Sequence, residues 1–166
     1  MKKLTEYNKQ LSREFIKKYS SIENQDLKDL DFVPATLNEN IYSHIDGKVS
    51  FTTQTIETHI GTDIKDRKSI KRGQPKNDRY LWAEIINDHG YHGWVYGKAH
   101  YIAFKQETQW LFVWREDLVK LIKEKVKKVY VKDFPLYKLK NRYGSKDVIT
   151  LIDSKDLNPI IIPRKL

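Results

Sequence analysis

A chain of 166 residues is long enough for one domain with a genuine core and short for two. Thirty-one Lys and Arg against 22 Asp and Glu leave a formal charge of +9, which favours polyanions such as nucleic acid over acidic small molecules as partners. The lack of cysteine excludes disulfides and thiolate metal sites, and 39% hydrophobic residues with four Trp, ten Tyr and six Phe argue against a disordered chain.

The opening MKKLTEYNKQ has no apolar segment behind its lysines, so no secretory signal is expected there. Nor does any stretch approach the roughly 20 apolar residues of a membrane helix. The expectation is a cytoplasmic protein with no membrane partner. Leu4, Tyr7, Leu11, Phe15 and Tyr19 recur at intervals of three and four, predicting an amphipathic helix over residues 3 to 20 with a lysine-rich outer face. A polar, Asp-rich connector then runs from Ser21 to about Asn40.

From Ile41 the period falls to two. Val49 and Phe51 alternate with polar residues, and Ile56, Thr58, Ile60, Thr62 and Ile64 alternate with Glu57, His59, Gly61, Asp63 and Lys65. Two paired strands are the simplest reading. The next segment, DRKSIKRGQPKNDR, holds Arg67, Lys68, Lys71, Arg72, Lys76 and Arg79 with one Gly and one Pro and no apolar period. It reads as a basic loop that either contacts a phosphate backbone or is simply solvated.

Tyr80 to Asn87 is expected to be a strand, NDHGYHG a polar turn, and Tyr101 to Phe104 and Trp110 to Trp114 short apolar strands. Asp117 is placed to cap a helix with Leu118, Leu121, Ile122 and Val126 inward and Lys120, Lys123, Lys127 and Lys128 outward. Strands near Tyr137 to Asn141 and Val148 to Asp153 close the chain. The order helix, strands, helix, strands predicts an α+β or α/β fold.

Alternation puts Asp63 and Lys65 on one face of their strand and Ile64 on the other. An aspartate on the neighbouring strand, with Asp46 the obvious candidate, would let two carboxylates hold a divalent ion, since hard cations prefer oxygen ligands. Lys65 would then orient the nucleophile or stabilise charge developing on phosphate. The bland alternatives are a hairpin turn at Asp46-Gly47 and a surface charge ladder of Asp63 with Lys65 or Arg67.

The arrangement of Asp46 followed by Asp63-Ile64-Lys65 resembles the PD-(D/E)XK nuclease superfamily. The run HIDGKVSF, TDIKDRKS, YLWAEIIND and GWVYGKAHYIAF is similar to a phage-type branch of it, over about Ile41 to Leu121. The resemblance implies a restriction-endonuclease-like core, a mixed β-sheet flanked by helices, over residues 1–130, with residues 131–166 a C-terminal β extension on the same domain. It also implies an endonuclease acting on DNA with Mg2+ or Mn2+, with Asp46 and Asp63 as metal ligands, Lys65 as the catalytic lysine, and Glu84 as a further ligand or partner of a metal-bound water. Glu6 or Glu14 would supply the first-helix glutamate. Two positions depart from the pattern: Ile45 stands for the nominal proline, and His100 stands where an acidic residue is expected.

His89, His92 and His100 raise an HNH-type alternative, although His89 and His92 suit polar turn chemistry better. Trp94 and Tyr96 either cover the core or stack on bases. Two further readings are a basic nucleic-acid-binding or host-interaction protein without catalysis, and a protein-binding module built on the aromatic surface around Trp94.

Overall fold

The computed structural model describes residues 28–52 and 57–163. The helix expected over residues 3 to 20, with Glu6 and Glu14, lies outside them. The described residues are mixed α and β, with two helices and ten strands in two sheets, an α+β arrangement. They fall into two compact units, the first built from the chain up to Asp63 together with Lys98–Tyr101, the second from Ile64–Gly97 and from Ile102 onward. None of the described helices is long and apolar enough to cross a membrane.

In the first unit β1 (Lys28–Pro34), β2 (Gly47–Thr52) and β3 (Glu57–Lys65, up to Asp63) lie side by side in that order, each pair antiparallel. Between β1 and β2 runs α1 (Leu37–Ser43), so the segment expected to be an irregular connector holds a strand and the start of a helix. The helix starts there because Thr36 and Glu39 form a capping box. The Thr36 hydroxyl accepts from the Glu39 N–H at 3.3 Å, and the Glu39 carboxylate accepts from the Thr36 N–H at 3.0 Å. Glu39 also pairs with Lys48. The helix ends at His44, whose left-handed φ of 51° lets its N–H donate to the Glu39 carbonyl.

In the second unit β4 (Tyr80–Ile86), β9 (Val148–Asp153), β8 (Lys138–Asn141) and β7 (Lys127–Tyr130) form one sheet in that order. All six residues of β9 are buried, which is why VITLID reads as a continuous rather than an alternating run. The same unit holds most of β5 (Tyr101–Lys105), the whole of β6 (Gln109–Trp114) and β10 (Ile160–Pro163), which pairs antiparallel with β6. Ala83, Val95, Ile102, Phe112, Leu118, Leu151 and Ile152 are buried at the centre. Each large side chain among them contributes roughly 1.5–3 kcal/mol by leaving water.

The second helix, α2 (Arg115–Lys125), buries Leu118 and Ile122 as expected, but its bounds differ. Trp114 occupies the N-cap position, so Asp117 does not cap the helix. It sits in the first turn, where a carboxylate faces the positive end of the helix dipole. The helix stops at Lys125, and Lys127 and Lys128 belong to β7, which pairs parallel with β8. Residues 66 to 79 form no strand and carry one isolated bridge, Ser69 to Lys76, in line with a loop.

Candidate functional site

Asp46 and Asp63 lie just beyond the same rung of the first unit, at one end of the antiparallel β2–β3 pair. Gly47 stands opposite Thr62, with Asp46 directly before the one and Asp63 directly after the other. The Asp46 N–H donates to the Thr62 carbonyl at 3.0 Å, and the Asp46 carbonyl accepts from the Ala35 N–H at 3.1 Å. Asp46-Gly47 is therefore not a hairpin turn, since it leads from α1 into β2. Asn40 of α1 donates its side-chain N–H to the Asp46 carboxylate at 2.8 Å, fixing that group from the helix side. Asp63 is 2% exposed, so the strand alternation that predicted β3 does not sort its residues into a wet and a dry face.

His100 accounts for itself in the same unit. Its backbone N–H donates to the Gly61 carbonyl at 2.8 Å, and its ring Nδ1 accepts from the Gly61 N–H at 3.0 Å. The position where an acid was expected serves to fasten β3 at Gly61.

Lys65 and Glu84 belong to the second unit, where Lys65, Lys68, Glu84, Trp94 and Arg142 line a cavity of about 40 Å³. Lys65 Nζ stands 4.7 Å from the centroid of the Trp94 ring. The Glu84 carboxylate accepts from the Trp94 N–H at 3.3 Å, and Gly93 packs so closely that a Cβ there would lie 2.3 Å from the Glu84 carbonyl oxygen. Arg142 pairs with Asp147 at 2.7 Å, and Asp147 accepts from the Ser145 hydroxyl at 2.9 Å. Burial holds the Lys68 amine below the usual lysine range, and the nearby charges of Arg142 and Lys65 push the same way, while Glu84 and Asp66 oppose them.

Most of the basic loop is already matched by carboxylates. Arg67 lies 2.7 Å from Asp78 and 3.5 Å from Glu107, Lys71 lies 3.4 Å from Asp133, Lys76 lies 3.8 Å from Asp66, and Arg79 lies 3.0 Å from Asp153. Burial pushes the Asp66 carboxyl up, but the Arg67 N–H and the Lys105 and Lys76 ammonium groups outweigh it and hold the carboxyl below the ordinary aspartate range. The loop is tied to the sheet, since Trp82 Nε1 donates to the Ser69 carbonyl at 3.1 Å and the Tyr80 N–H to the Asn77 side chain at 2.6 Å. Arg72 is exposed.

The structure thus brings Asp46 to Asp63 in one unit, and Lys65 to Glu84 and Lys68 in the other. His89 and His92 are exposed in the turn, with the His92 ring edge-on to Tyr96 at 5.1 Å. Trp94 is 8% exposed and packs edge-on to Phe104, so it covers the core and offers no open face. Among the described residues no three His, Asp or Glu side chains converge as a metal-binding group. Sequence reasoning missed Arg142, Asp147 and Asn40. Asn40 alone had a local signal, lying one turn after Thr36 and six residues before Asp46. Comparisons with protein-family models, with curated proteins and with solved structures return no match.

Proposed function

We propose that the protein is a metal-dependent nuclease that hydrolyses phosphodiester bonds, with DNA as substrate, on a PD-(D/E)XK-type core. The observation that carries the reading is that Asp46, directly before Gly47, and Asp63, directly after Thr62, stand at the same end of the antiparallel β2–β3 pair. Two carboxylates, with water filling the other positions, suit a hard cation such as Mg2+ or Mn2+, and Asp46 and Asp63 are the residues that would hold it. When bound, the ion supplies a water of lowered pKa and neutralises phosphate charge.

The chain's own residues have separate tasks. Asn40 holds the Asp46 carboxylate in orientation. Lys65 follows Asp63 by two residues on β3, and its ammonium stabilises charge that develops on the phosphoryl oxygens. Within the second unit the Trp94 N–H holds the Glu84 carboxylate in orientation. Calorimetric titration with Mg2+ or Mn2+, paired with cleavage assays on duplex, single-stranded and branched DNA and on RNA, tests the reading. Wild type should bind metal and cleave, and Asp46→Ala and Asp63→Ala should each lose both. Folded wild-type protein that binds neither ion and leaves every substrate intact sinks the proposal.

A second reading has its own support: a nucleic-acid-binding protein without catalysis, favoured by the gathering of Lys65, Lys68 and Arg142 on one cavity. It expects salt-sensitive binding that persists in EDTA and in Asp63→Ala, with no cleavage under any metal.

A further inference from the structure

We infer that the cavity of the second unit is a phosphate seat for a nucleic-acid strand, built by Lys65, Lys68 and Arg142, with Asp147 aiming the guanidinium. The inference rests on nucleic acid being the ligand, which both readings above share, and it does not need hydrolysis.

Lys65, Arg67, Lys68, Lys105 and Arg142 line one small space with two carboxylates, Asp66 and Glu84; Arg67 is paired with Asp78, Lys105 with Asp66, and Glu84 already accepts from the Trp94 N–H. Among the described residues Lys68 makes no ion pair, in contrast to Arg67, Lys71, Lys76 and Arg79 of the same loop. Its depressed proton affinity reports that burial and like charges act on it together. An anion in the cavity would add to the opposing pull of Glu84 and Asp66 and relieve that repulsion further.

Arg142 brings direction to the seat. One Nη1 contact to Asp147 at 2.7 Å uses a single donor of the five in a guanidinium fork, and the Ser145 hydroxyl in turn fixes Asp147. The remaining donors are available to phosphate oxygens in the paired geometry that arginine favours. A cavity of about 40 Å³ has room for little more than one water-sized group, so phosphate oxygens enter and a nucleobase does not. The seat should therefore read the backbone and not the sequence.

The test is binding of labelled single-stranded oligonucleotides, with a 5′-phosphate or a 5′-hydroxyl, to the full chain in EDTA across a salt series. Lys68→Gln should weaken binding on the order of tenfold near physiological salt and reduce the slope of log K against log salt by about one. Lys68→Arg should restore most of both. Loss confined to the 5′-phosphorylated strand assigns the seat to a terminal monoester, and equal loss on both strands assigns it to an internal diester; either supports the seat. An unchanged slope in folded Lys68→Gln, or no binding by wild type, overturns it. Cleavage with Mg2+ alongside an unchanged Lys68→Gln slope removes the seat and leaves the nuclease standing. A reduced slope with no cleavage under any metal does the reverse.

Discussion

Arg67 Nε lies 2.7 Å from Asp78 Oδ1, and the other oxygen of the same carboxylate accepts from the Glu107 N–H at 3.0 Å. A side chain that sequence alone offers to the phosphate backbone is thus committed to holding the loop against the β5–β6 turn. Removing the cation strands a half-buried carboxylate, so Arg67→Gln should lower stability by about 1–3 kcal/mol. Urea denaturation of the variant measures it. The salt slope of nucleic-acid binding should stay close to that of wild type.

The paired aspartates make a prediction that does not depend on finding the substrate. A ligand that binds only the folded state raises the melting temperature, by an amount set by its concentration over Kd. Mg2+ or Mn2+ should therefore raise the melting temperature of wild type and leave Asp46→Ala and Asp63→Ala unmoved. Asn40→Ala should retain the response at metal concentrations roughly 10–100 times higher, because it removes the group that orients a ligand. Differential scanning fluorimetry over a metal series separates the three outcomes.

Gly93 is required by space and not by backbone conformation. Its φ of −71° suits any residue. A Cβ there would meet the Glu84 carbonyl oxygen at 2.3 Å and the carbonyl carbon at 2.6 Å, both backbone atoms that cannot swing away. Gly93→Ala should cost about 1–3 kcal/mol or more and lengthen the Trp94 N–H bond to Glu84. A lower urea midpoint tests the first effect. A chemical-shift change at the Trp94 amide tests the second.

Acid should loosen α1 through Glu39. The ammonium of Lys48, hydrogen-bonded to its carboxylate, and the Thr36 N–H hold the Glu39 pKa down from 4.5 to about 2. A carboxyl depressed in the folded state stabilises above its unfolded pKa and loses that contribution as pH falls through the folded one. The loss should run from about pH 4.5 down to about pH 2. An NMR titration of the Thr36 and Glu39 amides should show it, and Glu39→Gln should abolish this pH dependence.

The strands of this protein were legible where burial imposes a pattern over several residues. Val148–Asp153 shows as a run of apolar residues because both faces are covered, and Gln109–Trp114, buried from Trp110 to Val113, shows for a similar reason. Lys127–Tyr130 was not legible: its lysines continue the helix period, and only pairing with the distant Lys138–Asn141 makes it a strand. Around α1 the signal was present, since Thr36-Leu37-Asn38-Glu39 is a capping-box sequence, but the polar composition of the segment hid it. For the candidate site, Asp46 and Asp63 could be paired from strand order. Arg142 could not be joined to Lys68, because no local pattern links residues so far apart in the chain.

The matching of the loop cations by Asp78, Asp66, Asp133 and Asp153 has a kinetic consequence. At a distance, an approaching polyanion senses each matched cation largely as a dipole, whose field fades faster than that of a bare charge. Residues 66 to 79 therefore contribute less to the rate of encounter than their sequence suggests. For the proposed nucleic-acid ligand, capture in the second unit would fall instead to exposed lysines such as Lys120 and Lys123 of α2, for which no ion pair is found among the described residues. Under that proposal capture and retention would be set by different residues: substitutions on α2 should change how fast a strand arrives, and those at Lys68 and Arg142 how long it stays.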